Sequence, residues 1–363
     1  MKKIFIAATQ QNDGKTTVSL GLIRNFQSKF KNVGFIKPIG QRYLEEEGLK
    51  IDEDSLLIEE VCGIKCGLKD MSPVAVERGF TEKYINYPDK KAITAQIKEA
   101  FRHISKGQDL VVIEGTGHAG VGSVFDHSNA FVARLLGSKV IIVSSGGIGR
   151  PIDEIALNRA LFEKQGVKIL GAIINKVIPE KFDKVNRLVR KGLSRMGVKV
   201  LGVIPYESFL SQPTVEQILE ETDFEVFLGK EFLDRYISRV IVGAMRPRDA
   251  LKYIVDDSLL ITPGDRKDMI LAALLTFRQN DKERIKISGI ILSGGIIPSS
   301  QRLRDLLAKA RIPVLLAKHD TYTVAGMLHA LAVKIRPKDS IKIKKVVELI
   351  KDNVDLESIL RGM

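Results

Sequence analysis

Apolar residues follow two patterns along this chain. Through the first two hundred positions, short runs that are almost continuously Val, Ile and Leu alternate with longer segments whose apolar positions recur at helical spacing. The runs at 2–8, 32–38, 110–115, 139–145, 169–176 and 199–205 predict strands. A strand with one wet face alternates polar and apolar residues, whereas a strand covered by helices on both faces reads as a continuous apolar run. The pattern therefore predicts an α/β fold built on a doubly wound parallel sheet. A charged stretch near 220–236 precedes a second series, with strands at 239–244, 258–263, 288–295 and 312–318 and helical segments near 266–278, 299–311 and 321–334. From Ser340 onward Ile343, Val346, Val347 and Ile350 recur at helical spacing among lysines, which predicts a docked helix or a dimer arm. The expected organisation is a larger domain over 1–225, a smaller α/β domain over 226–339 and a helical tail over 340–363.

Composition narrows the class. A chain of 363 residues suits two domains, and 44% apolar with 28% charged residues is ordinary for a globular protein. The longest apolar runs fall far short of the ~20 residues that cross a bilayer. Met1-Lys2-Lys3 and the apolar run after them resemble the start of a secretory leader, but Gln10 to Lys15 interrupt the run below a leader's usual ~7–15 residues. A cytoplasmic location without membrane insertion is the expectation. The net charge of +13 is strongly basic. No basic block is interleaved with aromatics, Trp is absent and no nucleic-acid module is recognisable, so the charge reads as lysine-rich solvated faces and nucleic acid is not an expected partner. Cys62 and Cys66 have no further Cys or nearby His to complete a zinc site and read as buried or idle thiols.

The chemistry starts at "AATQQNDGKTT", residues 7–17, between the first apolar run and the helical segment "TTVSLGLIRNF". In a P-loop, backbone N–H groups of a turn and of the following helix N-terminus surround phosphates, a lysine adds a point charge and a hydroxyl binds Mg²⁺. Gln11, Asn12, Asp13 and Gly14 form the turn, Lys15 is placed to reach the β- and γ-phosphates, Thr16 to bind Mg²⁺ and Thr17 to line the neighbouring phosphate. The first glycine of G-x-x-x-x-G-K-[ST] falls at position 9, where this chain has Thr9. The alternative is an ordinary βα turn capped by Asp13, which accounts for neither the lysine nor the paired threonines.

Further motifs extend this reading. Together with "GFIKPIG" (34–40), "VVIEGTG" (111–117), "GAIINK" (171–176) and "LGVIP" (201–205), the loop resembles the P-loop domain of dethiobiotin synthetases. "MSPVAVERGFTEKYI" (71–85) and "EGTGHAGVGSVFDHSNA" (114–130) are more similar to the version of that domain at the N-terminus of long phosphate acetyltransferases. The DRTGG domain that follows it there is resembled through "PGDRKD" (263–268), "LSGG" (292–295) and "DTYTVAGML" (320–328). The acetyltransferase catalytic domain has no counterpart before Met363, so phosphotransacetylase activity is not expected.

The resemblance implies ATP and Mg²⁺ as cofactors and assigns roles. Glu114, at a strand end, and Asp54 join Thr16 around the metal, with Asp52 as the fallback for Asp54; either acid also reads as a cap or a helix start. Asn175 and Pro205 are placed at the base. An Asn after a strand is also a routine turn residue, and without an Asn-Lys-x-Asp pattern adenine is expected over guanine. Lys37 faces the γ-phosphate and the second substrate, although an isolated strand-end lysine is usually solvated. His118, in the glycine-dense stretch 115–123, is a candidate for hydrogen bonding or proton transfer, or a surface residue of a mobile loop. The diamine pocket of dethiobiotin synthetases is not traceable. In the second domain Asp265 stands at a helix start, where its carboxylate can cap free N–H groups, and Arg266 with 293–295 either bind an anion or shape turns. Two functions remain: an enzyme that hydrolyses ATP or passes its γ-phosphate to a small carboxylate or carbamate, and a module that senses a nucleotide or metabolite for a partner. A homodimer is expected, with the small-molecule substrate or effector unspecified.

Overall fold

The structure, a computed structural model, describes residues 1–46, 48–275, 286–331 and 333–363. Its contacts divide it into two units, Met1–Glu207 with Ile335–Met363, and Ser208–Lys334.

Six strands form the sheet of the first unit: β1 (Lys2–Ala8), β2 (Val33–Ile36), β3 (Leu110–Glu114), β4 (Lys139–Ser145), β5 (Ile169–Val177) and β6 (Val200–Pro205). Their order is β6-β5-β4-β1-β3-β2, and every neighbouring pair is parallel. Phe5, Ile6, Val112, Ile113, Ile141, Ile142 and Ile173 are wholly buried, which is why these strands read as continuous apolar runs. The chain crosses from β1 outward to β2, then returns through β3 and continues to β4, β5 and β6. With right-handed crossovers, that reversal puts helices on both faces and opens a crevice beyond the C-terminal end of β1. The loop after β1 and helix α1 (Lys15–Phe26) stand at this crevice. An antiparallel hairpin, Tyr43–Glu46 with Leu49–Asp52, interrupts the alternation and was not evident in the apolar pattern. It leads into helix α2 (Glu53–Cys62), whose N-cap is Asp52.

The tail returns to this unit. Helix Ser340–Asn353 buries Val346 and Ile350, and Asn25 of α1 donates its side-chain amide to the Val347 carbonyl at 3.1 Å. Of the two expectations for the tail, docking is what the structure contains. Lys2 then caps the last helix, Leu356–Gly362, by donating to the Leu360 carbonyl at 2.7 Å.

The second unit has strands β7 (Glu225–Leu228), β8 (Arg239–Val242), β9 (Ser258–Pro263), β10 (Gly289–Ser293) and β11 (Val314–Leu316), in the order β7-β11-β10-β9-β8. The last four are parallel and β7 is antiparallel to β11. Short and partly exposed, β7 lies inside the stretch that its charges marked as a connection. The division at Glu207/Ser208 falls before the expected 225/226 boundary because helix Val215–Glu221, closed by a Thr214–Gln217 capping box, packs Val215 and Ile218 against Leu259 and Ile261 of the second sheet. The helix expected near 266–278 is Lys267–Leu275, and positions 276–278 lie outside the described residues. Among the described residues no helix is long and apolar enough to cross a membrane.

Candidate functional site

The loop after β1 takes two left-handed turns, at Asn12 (φ 63°) and Gly14 (φ 91°). Thr9 is outside that region of backbone space, so its position does not require the glycine of the common motif. Its side chain does something a glycine cannot: the hydroxyl lies 2.7 Å from Asp13 Oδ2, 2.9 Å from Glu154 Oε2 and 2.9 Å from Ser144 Oγ. Asp13 also accepts from the Gln10 N–H at 2.7 Å and from the Ser145 hydroxyl at 2.5 Å. The Asp13 carboxylate thus closes the loop on itself and does not cap the helix. Gly14 is the N-cap of α1, no side chain caps it and the first turn carries no acid. The first N–H groups of α1 and the positive end of its dipole are left for an anion.

Beside that helix mouth lies Lys15. Burial pushes its ammonium below the ordinary lysine pKa, Glu114 being the main opposing charge. Among the described residues Lys15 makes no ion pair and no side-chain hydrogen bond. Thr16 donates its hydroxyl to Glu114 Oε1 at 3.0 Å. Glu114 ends β3 wholly buried, and burial, reinforced by the charge of Asp54, pushes its carboxyl up to about 7.

Three acids meet at Lys37. Its ammonium pairs with Asp52 Oδ1 at 2.8 Å and with Asp54 Oδ2, and lies 3.9 Å from Glu114 Oε1. Burial alone would lower its pKa, but Asp54, Asp52 and Glu114 together hold it well above the lysine range. Asp52 serves twice, accepting the Asp54 N–H at 3.0 Å as the cap of α2. Residues far apart in sequence, the buried Lys37, Asp52 and Glu114 and the half-buried Thr16 and Asp54, thus share one floor near Lys15. Glu114 Oε2 and Asp52 Oδ2 have no hydrogen-bond partner among the described residues. The donors are hard oxygens of the type that Mg²⁺ takes. Among the described residues no group of three or more His, Cys, Asp or Glu forms a cage by itself; Mg²⁺ commonly uses one or two carboxylates and completes its shell with phosphate oxygens and water.

Other expected residues are placed differently. Asn175 is buried at the end of β5, with Nδ2 donating to the Asp13 carbonyl at 2.9 Å and Oδ1 accepting the Lys176 N–H at 2.9 Å. The amide that the motifs assign to a base here braces the phosphate loop. Lys176 adds a second brace, donating to the Asn12 carbonyl at 2.6 Å. Pro205 closes β6, and Gln11 is exposed, donating to Gln41 at 3.2 Å. His118 is exposed in the 115–123 loop, where Nδ1 accepts the Gly120 N–H at 3.1 Å. The amides of that loop are largely engaged within the protein. Asn129 accepts the Thr116 N–H at 3.1 Å and Asn158 the Ala119 N–H at 2.7 Å. The glycine density of this loop therefore builds a braced turn, and little of its backbone is left for an anion.

Several contributors escaped the sequence reading. On helix α3 (Gly149–Lys164), Arg150 pairs with Glu154 at 2.7 Å and donates to Gln10 Oε1 at 2.9 Å, while Glu154 accepts from Gln10 and Thr9. In the sequence Arg150 and Glu154 are an ordinary i, i+4 helix pair, and nothing local ties them to a loop some 140 positions earlier.

Residues 2–214 match the family described as an AAA domain, and residues 217–331 match that described as a DRTGG domain. Phosphate acetyltransferases align along nearly the whole chain. That of Nitratidesulfovibrio vulgaris is 27% identical over 361 residues, covering 97% of this chain and 50% of the relative. That of Escherichia coli is 22% identical over 382 residues, covering 98% and 52%. The chain spans about half the length of the curated relatives it matches. These matches bear out the resemblance to phosphate acetyltransferases in which a P-loop domain precedes a DRTGG domain. Among solved structures, the MinC:MinD cell division protein complex of Aquifex aeolicus is 16% identical with a TM-score of 0.38, covering 58% of this chain and 84% of that one. The CBS and DRTGG domains of the regulatory region of Clostridium perfringens pyrophosphatase, complexed with the activator diadenosine tetraphosphate, are 17% identical with a TM-score of 0.26, covering 47% and 84%.

Proposed function

We propose, for a chain that belongs to the AAA domain family, that the mouth of α1 binds ATP with Mg²⁺ and that the bound nucleotide is hydrolysed or gives its γ-phosphate to a small carboxylate or carbamate. The observation that carries this reading is Lys15: a desolvated ammonium with no ion pair among the described residues, beside an uncapped helix N-terminus. A half-buried, poorly solvated cation in that state is stabilised by an incoming anion. The N–H groups of α1 and Lys15 hold the phosphates, and Thr17 lines them. Thr16, Glu114 and Asp54 are the oxygen donors for Mg²⁺, which supplies positive charge to the phosphoryl group in transfer. Lys37 stands at the inner end of the site, and His118 is the exposed group of the neighbouring loop that can exchange a proton with an acceptor. The reading includes adenine as the base, a homodimer and a cytoplasmic location.

A second reading has one observation in its favour. Among the described residues Lys37 is enclosed by three carboxylates and the 115–123 amides are largely engaged internally, which leaves these groups committed to the protein and not to an acceptor. In that reading the nucleotide is sensed, and the DRTGG unit passes the signal to a partner related to the remainder of the phosphate acetyltransferases. Calorimetry with ATP and Mg²⁺ tests what the two share: Lys15→Ala should lower affinity at least tenfold, about 1.4 kcal/mol, and unchanged affinity removes the phosphate site. ATP turnover measured against a panel of small carboxylic acids and amines then separates them. Strong stimulation by one compound identifies the enzyme, and tight binding without stimulated turnover identifies the sensor.

A further inference from the structure

The floor of the site contains more acid than base. Asp52, Asp54 and Glu114 converge on one ammonium, that of Lys37, and two of their buried oxygens, Glu114 Oε2 and Asp52 Oδ2, have no hydrogen-bond partner among the described residues. An ammonium brings one charge and three N–H donors. A divalent cation brings two charges and takes about six oxygen ligands. Lys37 pairs with Asp54 and approaches the Glu114 oxygen that already accepts from Thr16, so it stands among the donors that Mg²⁺ requires. Two cations sharing those oxygens repel strongly in surroundings this poorly solvated. Lys15, close by and without an anion, adds to that repulsion.

We infer that Lys37 is the resident counter-ion of the metal site: its ammonium holds the acids together and keeps a free divalent cation out until a triphosphate draws it off, so that metal binds only together with nucleotide. This rests on the reading of the site as one for Mg²⁺ and ATP. The phosphate chain offers Lys37 a replacement anion within reach of its flexible stem, and its departure frees Asp54 and Glu114 for the metal. Binding is then ordered by charge: a nucleotide can enter alone, and a metal cannot.

The test is a titration of the full-length chain with Mn²⁺, followed by the electron paramagnetic resonance of the free ion, without nucleotide and then with saturating ATP. Wild type should bind Mn²⁺ at least tenfold more tightly with ATP, after correction for Mn²⁺–ATP complexes in solution, and Lys37→Met should bind it without ATP at least tenfold more tightly than wild type. The gain should vanish in Lys37→Met/Asp54→Asn, and Lys37→Arg, which keeps the charge, should behave as wild type. Wild type that binds Mn²⁺ equally well with and without nucleotide overturns the inference, and so does a Lys37→Arg protein that gains metal. If Lys37→Met does not fold, Lys37→Gln takes its place with the same expected gain, and wild type that binds Mn²⁺ equally well with and without nucleotide still overturns the inference. ATP binding without metal, measured in parallel, separates the failures: its absence removes the nucleotide site itself, whereas ATP binding beside nucleotide-independent Mn²⁺ binding removes only the role of Lys37.

Discussion

The side-chain amide of Asn175 donates to the main-chain carbonyl of Asp13 at 2.9 Å, joining the end of β5 to the middle of the phosphate loop. The same Nδ2 lies 2.2 Å from where a Cβ on Gly14 would stand. The loop is therefore shaped from β5, two strands away in the sheet, as much as by its own sequence. Asn175→Ala leaves a buried carbonyl without its donor, a loss of about 1–3 kcal/mol. A bracing Asn175 predicts a lowered melting temperature and equal losses of affinity for ATP and GTP, both measurable on one preparation. A change in the ratio of ATP to GTP affinity at unchanged stability would instead assign the residue to the base.

A glycine at position 9, as in the common motif, should harm this loop. Thr9 does not occupy the left-handed region, and its hydroxyl is within hydrogen-bond distance of Asp13, Ser144 and Glu154. Thr9→Gly adds backbone entropy to the unfolded chain, roughly 0.5–1 kcal/mol, and removes a hydrogen bond of about 1 kcal/mol. Denaturant unfolding should show a loss of about 1–2 kcal/mol by these same contributions, with weaker nucleotide binding. Thr9→Val isolates the hydroxyl; stability equal to wild type in both variants would mean that the network around Asp13 adds nothing.

These residues mark how far the sequence could be read. The sheet was legible because each strand is apolar on both faces, and the phosphate loop because Gly14, Lys15 and Thr16 are adjacent. Lys37, Asp54 and Glu114 were singled out through motifs, with roles taken from resemblance; that all three share one floor with Asp52 is a product of the crossovers. The brace from Asn175 and the Arg150–Glu154 link to Gln10 are through-space pairs of common residue types, invisible to local pattern. Strand β7 was missed because its apolar run is only three residues long, Val226 to Leu228, half-exposed at a sheet edge and set among charged residues.

Cys62 provides a pH-dependent readout of folding. It ends α2 nearly out of solvent, and burial pushes its thiol up to about 12. At pH 8 the thiolate fraction is then roughly a thousandfold below that of an unshifted thiol. In a Cys66→Ser background, a disulfide reagent at pH 8 should modify Cys62 only as fast as the protein unfolds. The native thiol keeps a proton that the unfolded one loses, so stability should fall as pH rises from about 9 toward 12. Rapid modification of the folded chain would contradict the burial of this thiol.

Gly21 permits helix Ser340–Asn353 to dock on α1. A Cβ at this position in α1 would stand 2.2 Å from Ile350 Cγ1 and 2.8 Å from Ile350 Cβ, distances that real side chains do not sustain. The offending atoms are near the Ile350 backbone, so rotation about a distal bond does not relieve the clash. Gly21→Ala gains helix propensity, up to about 1 kcal/mol, but overpacking costs about 1–3 kcal/mol, and the second effect should prevail. Ile350→Ala removes the obstructing atoms at the expense of a buried cavity, typically about 2–5 kcal/mol. In the double variant the new methyl enters the space that Ile350 vacates, so its loss should be smaller than the sum of the single losses. Thermal or denaturant unfolding of the four proteins gives this coupling directly. A Gly21→Ala protein as stable as wild type, or strict additivity in the cycle, would show that Ser340–Asn353 is not packed on α1 through this contact.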